Sequence, residues 1–471
     1  MHAHSLKSEI PTIFPCCWPC SGWHRLTATR RLRLGAVMVL FALAPFAAMA
    51  AQMPVLLVEN HSDVLVPWIQ TGVRGAVVVN VDAHDDCTPI IPDNITKLKR
   101  FLADSNEAAI GRANGFADSG LYNIGDYITA ACALGIAREV VWIEPPLQAP
   151  GKVLTHLQFT TCPLESLPAI KGPVLLTVDA DFVVPCANYR CIGVVEAIRR
   201  ITDTLRAVPW DVQNVSVSYS QNGGFLPVQL RWIGNALQEG LEGKDLYRAN
   251  SPWPMLAKIE DWRRSLLPRE IVRRVRPLVL KRPTDPWLRV YLADALFRSD
   301  SVSGALAEGK KAAFLDPGCC RILPELGSQL ADVGRLDEAE RFLAAAPAVV
   351  NPAAEASLAQ ALDRAGHTAR AIEHYSRISI LMANYSVDLL VGYGYERLGD
   401  TTRARLHYLR AVALLANPVS EMAGFADLTL AVAAAERFFR NTGDQASAKA
   451  LRRDHRLTRY FNKDIEGASG R

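Results

Sequence analysis

The chain has 471 residues, of which 49% are hydrophobic and 21% are charged, and this composition excludes a largely disordered protein. Its formal net charge is +4, but the first 50 residues hold five Lys or Arg and one acid, which leaves 47 basic and 47 acidic residues in the remainder. A balanced chain lacks the basic surface that binds nucleic acid, so we expect no nucleic-acid partner. The length allows two ordinary domains and additional segments.

Residues 1–50 are predicted to form a signal peptide. Four arginines between Arg25 and Arg33 precede an uncharged stretch from Gly35 to Ala50, which ends in Ala48-Met49-Ala50. This is the order of a basic region, an apolar region and a small-residue cleavage site, and the apolar region is shorter than the roughly 20 residues that span a bilayer. We therefore expect an exported protein, periplasmic or secreted, without a stable membrane span after cleavage. An uncleaved N-terminal membrane anchor is the alternative.

Export would permit disulfide bonds among the seven cysteines that follow residue 50. Cys186 and Cys191 are the best local pair, and the odd count leaves at least one thiol free. No Cys-x-x-Cys zinc pattern occurs, so the cysteines are interpreted as structural.

Short apolar strands alternate with helical stretches between residues 54 and 220, within a predicted domain of residues 51–250. This alternation predicts an α/β fold of three layers, in which a mostly parallel sheet has helices on both faces. In such a fold, ligands bind outside the carboxyl ends of the strands. The predicted strands are Val55–Val58, Ala76–Val81, Val140–Ile143, Val174–Val178 and Val215–Tyr219, and the predicted helices include Asn94–Ala103, Ile124–Leu134 and Gly193–Leu205.

Two of these apolar strands run directly into acidic clusters. The second predicted strand is followed by Asp82-Ala83-His84-Asp85-Asp86, and the fourth by Asp179-Ala180-Asp181. Charged groups at a buried strand end cost several kcal/mol unless they are compensated, and a divalent metal ion is the usual compensation. His61, which follows the first strand, supplies a further imidazole. The predicted metal ligands are His61, Asp82, His84, Asp86, Asp179 and Asp181.

Mostly oxygen ligands with one imidazole per metal suit Mn²⁺ or a similar ion. Six groups exceed what one zinc ion takes, so two metals are favoured, and a pair of divalent ions activates water at neutral pH. In the competing interpretation, Asp82 and Asp179 are only helix N-caps, and His61 is a hydrogen-bonded loop histidine. Capping accounts for one Asp at each strand but not for the clusters.

The residues Asp82 to Asp86 resemble the Asp-Ala-His-x-Asp motif of the arginase/ureohydrolase superfamily, and Asp179-Ala180-Asp181 resembles its later Asp-x-Asp motif. The residues around the motifs resemble the peptide-arginase branch (UPF0489) more than arginase proper, and the resemblance covers roughly residues 54–230. The resemblance implies two Mn²⁺ ions and a hydrolase that acts on guanidinium groups. One ion would be held by His61, Asp82, Asp86 and Asp179, and the other by Asp82, His84, Asp179 and Asp181, with Asp82 and Asp179 bridging.

The sequence departs from the family pattern at several points. Thr177 replaces the serine that usually precedes the second motif, and the Gly-Gly-Asp-His context is absent around His61. No motif places the proton-shuttling histidine or the guanidinium-binding glutamate of the family, although His156 and Glu165 are available. The general acid and base are therefore left unassigned.

The last part of the chain is predicted to be helical. Residues 251–284 are rich in Pro and Arg and are predicted to form a helical linker. In residues 285–460, Gly334, Gly366 and Gly399 recur at spacings of 32 and 33 within a turn-plus-helix pattern, Asp300 occupies the glycine position of an earlier copy, and Gly443 begins a degenerate last copy. This resembles tetratricopeptide repeats, which have a period of 34 residues and offer a concave surface to protein partners.

These features together predict an exported metal-dependent hydrolase with a repeat domain. The expected reaction is hydrolysis of a C–N bond in a peptide or a small guanidino or amide substrate, with the repeats binding a protein partner. Two alternatives remain open at this point. One is a deacetylase-like amidohydrolase with a single Zn²⁺, and the other is an inactive scaffold whose repeats do the binding.

Overall fold

The computed structural model describes residues 54–90, 92–104, 122, 124–146, 158–221, 225–346, 352–381, 385–415, 428–453 and 457. The predicted signal peptide lies outside the described residues. The described residues belong to one compact unit. In this part of the chain, no helix combines the length and the apolar character that crossing a membrane requires.

A parallel sheet of six strands forms the first part of the described structure, in the order β1-β6-β5-β2-β3-β4. All strand pairs are parallel, and β2 lies between β3 and β5 in the middle of the sheet. Every side chain of β2 is buried, which explains its run of apolar residues. The strands are β1 (Val55–Val58), β2 (Ala76–Val81), β3 (Ala137–Ile143), β4 (Gln158–Cys162), β5 (Pro173–Asp179) and β6 (Asp211–Ser218).

Helices cover both faces of this sheet. Val77 and Val79 of β2 pack in one apolar core, and Val78 packs in a second core, because successive strand residues point to opposite faces. The second core is built with α1, α2 and α3, and the first with α4, α5 and α6. The predicted parallel sheet is thus confirmed, with helices on both of its faces. The helices are α1 (Leu65–Gln70), α2 (Pro92–Asp104), α3 (Tyr127–Ala133), α4 (Val183–Arg190), α5 (Val194–Ala207) and α6 (Trp232–Leu241).

All five predicted strands are present, but the edge strand β4 was not predicted. Its sequence Gln-Phe-Thr-Thr-Cys is mostly polar, and three of its five side chains are exposed, so it lacks the apolar run that marks the inner strands. The predicted helix Ile124–Leu134 is shorter in the structure, where α3 begins at Tyr127.

Residues 251–284 are helical as predicted, and their apolar faces are buried. They form α7 (Trp253–Ser265) and α8 (Pro268–Lys281). Leu256, Ile259, Ile271 and Val275 belong to the same apolar core as the first face of the sheet. The segment is therefore a packed part of the structure.

The remaining helices form successive antiparallel pairs, and the predicted tetratricopeptide-like repeats are confirmed. The turn residues Gly334, Gly366 and Gly399 have φ of 79°, 83° and 78°, in the left-handed region that glycine tolerates best, and Asp300 in the matching slot has φ of 61°. The helices are α9 (Pro286–Arg298), α10 (Val302–Leu315), α11 (Ile322–Asp332), α12 (Leu336–Ala344), α13 (Pro352–Arg364), α14 (Thr368–Leu381), α15 (Tyr385–Arg397), α16 (Thr401–Leu415), α17 (Thr429–Asn441) and α18 (Gln445–Arg453).

The expected disulfide between Cys186 and Cys191 is not formed. Both are free thiols: Cys186 is buried in α4, whereas Cys191 is exposed at the left-handed residue that ends this helix. The close spacing in sequence suggested a bond, but the helix end separates a core position from a surface position.

Candidate metal centre

Three loops at the carboxyl ends of β1, β2 and β5 bring the six predicted metal ligands together. His61 opens a short 3-10 helix after β1, Asp82 follows β2, and Asp179 is the last residue of β5. Because parallel strands end at the same edge, residues far apart in sequence meet there.

The first group of ligands surrounds the imidazole of His61. Its Nδ1 atom lies 2.8 Å from Asp82 Oδ2, 3.0 Å from Asp86 Oδ2 and 3.4 Å from Asp179 Oδ2. His61 and Asp82 are buried. In His61, Asp82 and Asp179, one possible ligand atom from each lies within 4.8 Å of the others.

The second group shares Asp82 with the first. His84 Nδ1 lies 3.5 Å from Asp82 Oδ1 and 3.2 Å from Asp181 Oδ2, and these three residues also have ligand atoms within 4.8 Å of one another. All six predicted ligands therefore lie in two adjoining groups with Asp82 in common.

Backbone contacts fix the directions of the shared carboxylates. Asp82 Oδ1 accepts a hydrogen bond of 2.8 Å from the backbone N–H of His84, and Asp179 Oδ1 accepts one of 3.1 Å from that of Asp181. Asp179 is thus an N-cap, as the competing interpretation proposed, but only one of its oxygens is used. The other faces His61, so capping and a place in the ligand group coexist.

A second set of contacts holds the ligands from outside. Thr177 Oγ1 lies 2.6 Å from His61 Nε2, so the opposite ring nitrogen of His61 is directed at the carboxylates. Trp142 Nε1 donates to the backbone oxygen of Asp82, and Asn80 Nδ2 donates to that of His84. Sequence reasoning noted Thr177 only as a departure from a motif and gave it no role.

Two residues at the site adopt strained backbone conformations. Asp86 has φ of 52° and Ser220 has φ of 54°, a region that side chains other than glycine rarely occupy. Strain of this kind persists where surrounding contacts enforce it and is concentrated at functional sites. Both residues line the same cavity.

The electrostatics of Asp82 and His84 favour charged forms. Burial raises the pKa of the Asp82 carboxyl, but its contacts with His61 and His84 outweigh burial and lower the pKa overall. The hydrogen bonds of His84 with Asp181 and Asp82 raise the pKa of its imidazole to about 11. Attraction between unlike charges therefore holds these side chains together.

The other carboxyls resist ionisation. Burial, and then the charge of Asp82, raise the pKa of Asp86 to about 8. Burial and neighbouring carboxylates also raise the pKa values of Asp179 and Asp181. Four carboxyls packed this closely repel one another when ionised, and a bound cation would reverse that balance.

The residues present fit a divalent cation. His61 Nδ1 and Asp82 Oδ2 are both buried and lie 2.8 Å apart, but their contact lacks hydrogen-bond geometry, and neither atom has another hydrogen-bond partner. The described residues that line the cavity include no Lys or Arg to balance the carboxylates. Four carboxylates and two imidazoles are an oxygen-rich donor set of the kind that suits Mn²⁺.

The site opens into a cavity of about 240 Å³. The ring of Phe225 is 49% exposed and lies 4.4 Å from the ring of His84, between centroids. Ser220 Oγ donates to Asp181 Oδ2 over 3.3 Å. Segment 220–225 follows a strand, a position from which the sequence allows it either to line the cleft or to form a turn, and both of these residues line the cavity. Besides the ligands, the lining residues are Asn60, Asp85, Thr88, Ile124, Gly125, Ser220 and Phe225.

Glu165, the glutamate available for guanidinium binding, is not among the residues that line this cavity. Glu165 forms an ion pair with Arg190 beside a separate cavity that contains Glu144 and Tyr189. His156 lies outside the described residues. The general acid and base stay unassigned.

No protein-family model matches the chain, and no curated protein is similar to it in sequence. Among solved structures, the chain is similar to MamA, with 18% identity over 38% of this chain and 97% of MamA and a TM-score of 0.25. YrrB, described as a TPR protein with an unusual peptide-binding site, matches with 16% identity over 40% of this chain and 97% of its own, with a TM-score of 0.27. PilF of Pseudomonas aeruginosa matches with 16% identity over 45% of this chain and 94% of its own, with a TM-score of 0.27.

Proposed function

We propose that this protein is an exported metal-dependent hydrolase that uses two Mn²⁺ ions to hydrolyse a C–N bond. The observation that carries the proposal is the pair of adjoining ligand groups that share Asp82 at the carboxyl edge of the sheet. A purely structural acidic loop has no need of four carboxylates and two imidazoles facing one buried point.

The six residues of the two ligand groups would hold two separate ions. His61, Asp82, Asp86 and Asp179 would hold one ion, and His84 and Asp181 would hold the other together with the shared carboxylates. Bound at these positions, the ions would activate water and polarise the bond that is attacked. Thr177 fixes the ring of His61 by a hydrogen bond to Nε2.

The proposed substrate carries a guanidinium or an amide, and includes arginine side chains in peptides. The arginase-like motifs support the guanidinium, and the open cavity beside Phe225 supports a substrate longer than a free amino acid. We further propose that the tetratricopeptide-like repeats bind a peptide or protein partner, the role that stacked helix pairs of this kind commonly serve.

Metal content tests the centre directly. We expect close to two Mn²⁺ per chain by elemental analysis of the mature protein loaded with Mn²⁺, and a large loss in Asp82→Asn and Asp179→Asn. Asp203→Asn, on the exposed surface of α5, is the matched control and should retain the metal. One tightly bound Zn²⁺ per chain would favour the single-zinc amidohydrolase instead.

Product analysis tests the reaction. Mature protein with Mn²⁺ is incubated with arginine, agmatine and arginine-containing peptides, and urea is measured. Release of urea that disappears in Asp179→Asn is expected. Absence of urea from all three, with metal still bound, would shift the assignment to amide hydrolysis. Unchanged metal content in both Asp variants would leave a scaffold that acts only through its repeats.

A further inference from the structure

The segment from Phe225 to Trp232 joins the metal cavity to the repeat helices. Phe225 lines the cavity, and the residues that follow form a short 3-10 helix, Val228–Leu230, and the start of α6. Four of the residues that follow contact helices α9 and α11 or the turn between α10 and α11: Val228, Gln229, Arg231 and Trp232.

The contacts on the repeat side are mostly buried. The backbone N–H of Val228 donates to Glu325 of α11 at 3.2 Å, and Gln229 Nε2 donates to Asp294 of α9 at 3.3 Å. Trp232 Nε1 donates to the hydroxyl of Tyr291, also in α9, at 3.1 Å. Loss of one partner of a buried hydrogen bond leaves the other polar group unsatisfied, so these contacts fix the segment against the repeats.

Arg231 connects the same segment to the His61 loop. Its guanidinium forms a two-pronged pair with Glu59, at 2.7 Å and 2.5 Å, and lies over the ring of Tyr219 at 3.7 Å. Arg231 is only 6% exposed, and its Nε lies 3.8 Å from Asp316 in the turn between α10 and α11. Bidentate pairs of this type hold a carboxylate in a defined direction.

Glu59 stands directly before the turn that presents His61. The next residue, Asn60, is the N-cap of the 3-10 helix His61–Val64, and its backbone N–H donates to Asp63. Gly318 lies in the turn between α10 and α11. A Cβ at this position would lie 2.2 Å from Nη2 of Arg231 and would collide with it. The repeat turn therefore closes directly over the arginine.

We propose that Arg231 is a positioning residue through which the first repeat helices hold the His61 loop in place for metal binding. The metal-binding part of this inference rests on the proposed function, whereas the positioning of the loop does not. In this arrangement the first repeats are part of the framework of the site, and a partner that moves the α10–α11 turn would alter the site.

The test compares Arg231→Met, Arg231→Lys and Glu59→Gln with wild type in the full chain. Two properties are measured: hydrogen exchange of the backbone amides of residues 59–64, and the affinity for Mn²⁺ alone by calorimetry. Arg248→Met is the matched control, because Arg248 forms a similar two-pronged pair, but with Glu239 of α6 and not with the loop that carries His61.

We expect faster exchange in residues 59–64 and about tenfold weaker Mn²⁺ binding in Arg231→Met and Glu59→Gln, the range typical of lost supporting contacts around metal ligands. Arg231→Lys should recover part of the slow exchange and part of the Mn²⁺ affinity, and Arg248→Met should change neither quantity. Glu59 is 45% exposed, so we expect Glu59→Gln to fold. This variant tests the positioning role if Arg231→Met fails to fold.

Wild-type exchange and affinity in folded Glu59→Gln would overturn the positioning role. If wild-type protein binds no Mn²⁺ while exchange still responds to both variants, the positioning role stands and the proposed metal function fails. The two failures are thus distinguishable.

Discussion

At the scale of single residues, the ligand group depends on atoms that are not ligands. His61 has one ring nitrogen engaged by Thr177 and the other facing three carboxylates, so the hydroxyl helps to hold the angle of the ring. Asp82 is aligned in the same way by the backbone N–H of His84.

Replacing Thr177 by valine keeps the shape of the side chain and removes its hydroxyl. We expect Thr177→Val to weaken Mn²⁺ binding by about 10- to 100-fold, because His61 loses the bond that orients it. Thr177→Ser retains a hydroxyl and should bind like wild type. Calorimetric titration with Mn²⁺ measures the difference, and equal affinity in the valine variant would mean that the carboxylates alone orient the ring.

Much of this site could be predicted from sequence, for a specific reason. An Asp-x-His-x-Asp or Asp-x-Asp cluster after an apolar run is a local pattern, and parallel strands bring such ends together. Thr177, Ser220 and Phe225 carry no such pattern. Thr177 is an ordinary strand residue by composition, and the contacts of Ser220 and Phe225 depend on the path of the chain after β6.

At the scale of elements, α15 and α16 pack closely because α15 has glycine at the contact. A Cβ on Gly392 of α15 would lie 2.6 Å from the ring of Tyr408 in α16. The recurring turn glycines could be found from sequence because their spacing is regular. The packing glycines could not, since their neighbours are known only once the helices are placed.

We expect Gly392→Ala to destabilise the protein by about 1–3 kcal/mol, since the ring of Tyr408 must shift in a filled core. The better helix propensity of alanine offsets roughly 1 kcal/mol of this loss. The control is Gly193→Ala, where a new Cβ meets no atom within 4 Å, so that only the loss of glycine at the N-cap of α5 acts, at a cost of at most about 1 kcal/mol. Urea unfolding of both variants gives the comparison; equal stability of the two would contradict the packing argument.

At the scale of the whole molecule, the sheet and the repeats share one apolar core. Val77 of β2, Trp232 of α6, Ile271 of α8 and Leu326 of α11 belong to the same cluster of buried side chains. The basic, proline-rich composition of residues 251–284 suggested a linker. It did not reveal this continuity, because apolar residues at helical spacing indicate a buried face but not the surface that covers it.

Glu325 lies at the junction of the sheet and the repeats, and burial raises its pKa to about 7. The folded protein therefore keeps this proton up to a higher pH than the unfolded chain, whose glutamate ionises near pH 4.3. Stability contributed by the neutral form is fully present below pH 4 and is lost as the pH rises through 7.

Glu325→Gln should therefore match wild type near pH 4 and exceed it by roughly 1–3 kcal/mol at pH 8, because glutamine accepts the bond from Val228 without ionising. Urea unfolding at both pH values measures the difference. Glu373→Gln, on the exposed face of α14, is the control and should show no such pH-dependent gain. A Glu325→Gln protein that is less stable at pH 8 would mean that the carboxylate is ionised and stabilised by Arg321.

The carboxylate of Asp82, common to both ligand groups, ties the filling of one position to the filling of the other. The first cation to bind would neutralise and align the carboxylate of Asp82, which the second cation also needs. The two binding constants are therefore linked, and each ion changes the affinity for the other by the same factor. Loss of Asp181 should leave a protein that takes a single ion, whereas loss of Asp82 should empty both positions at once. The amount of half-loaded protein during a titration with metal would then report the sign and the strength of this coupling.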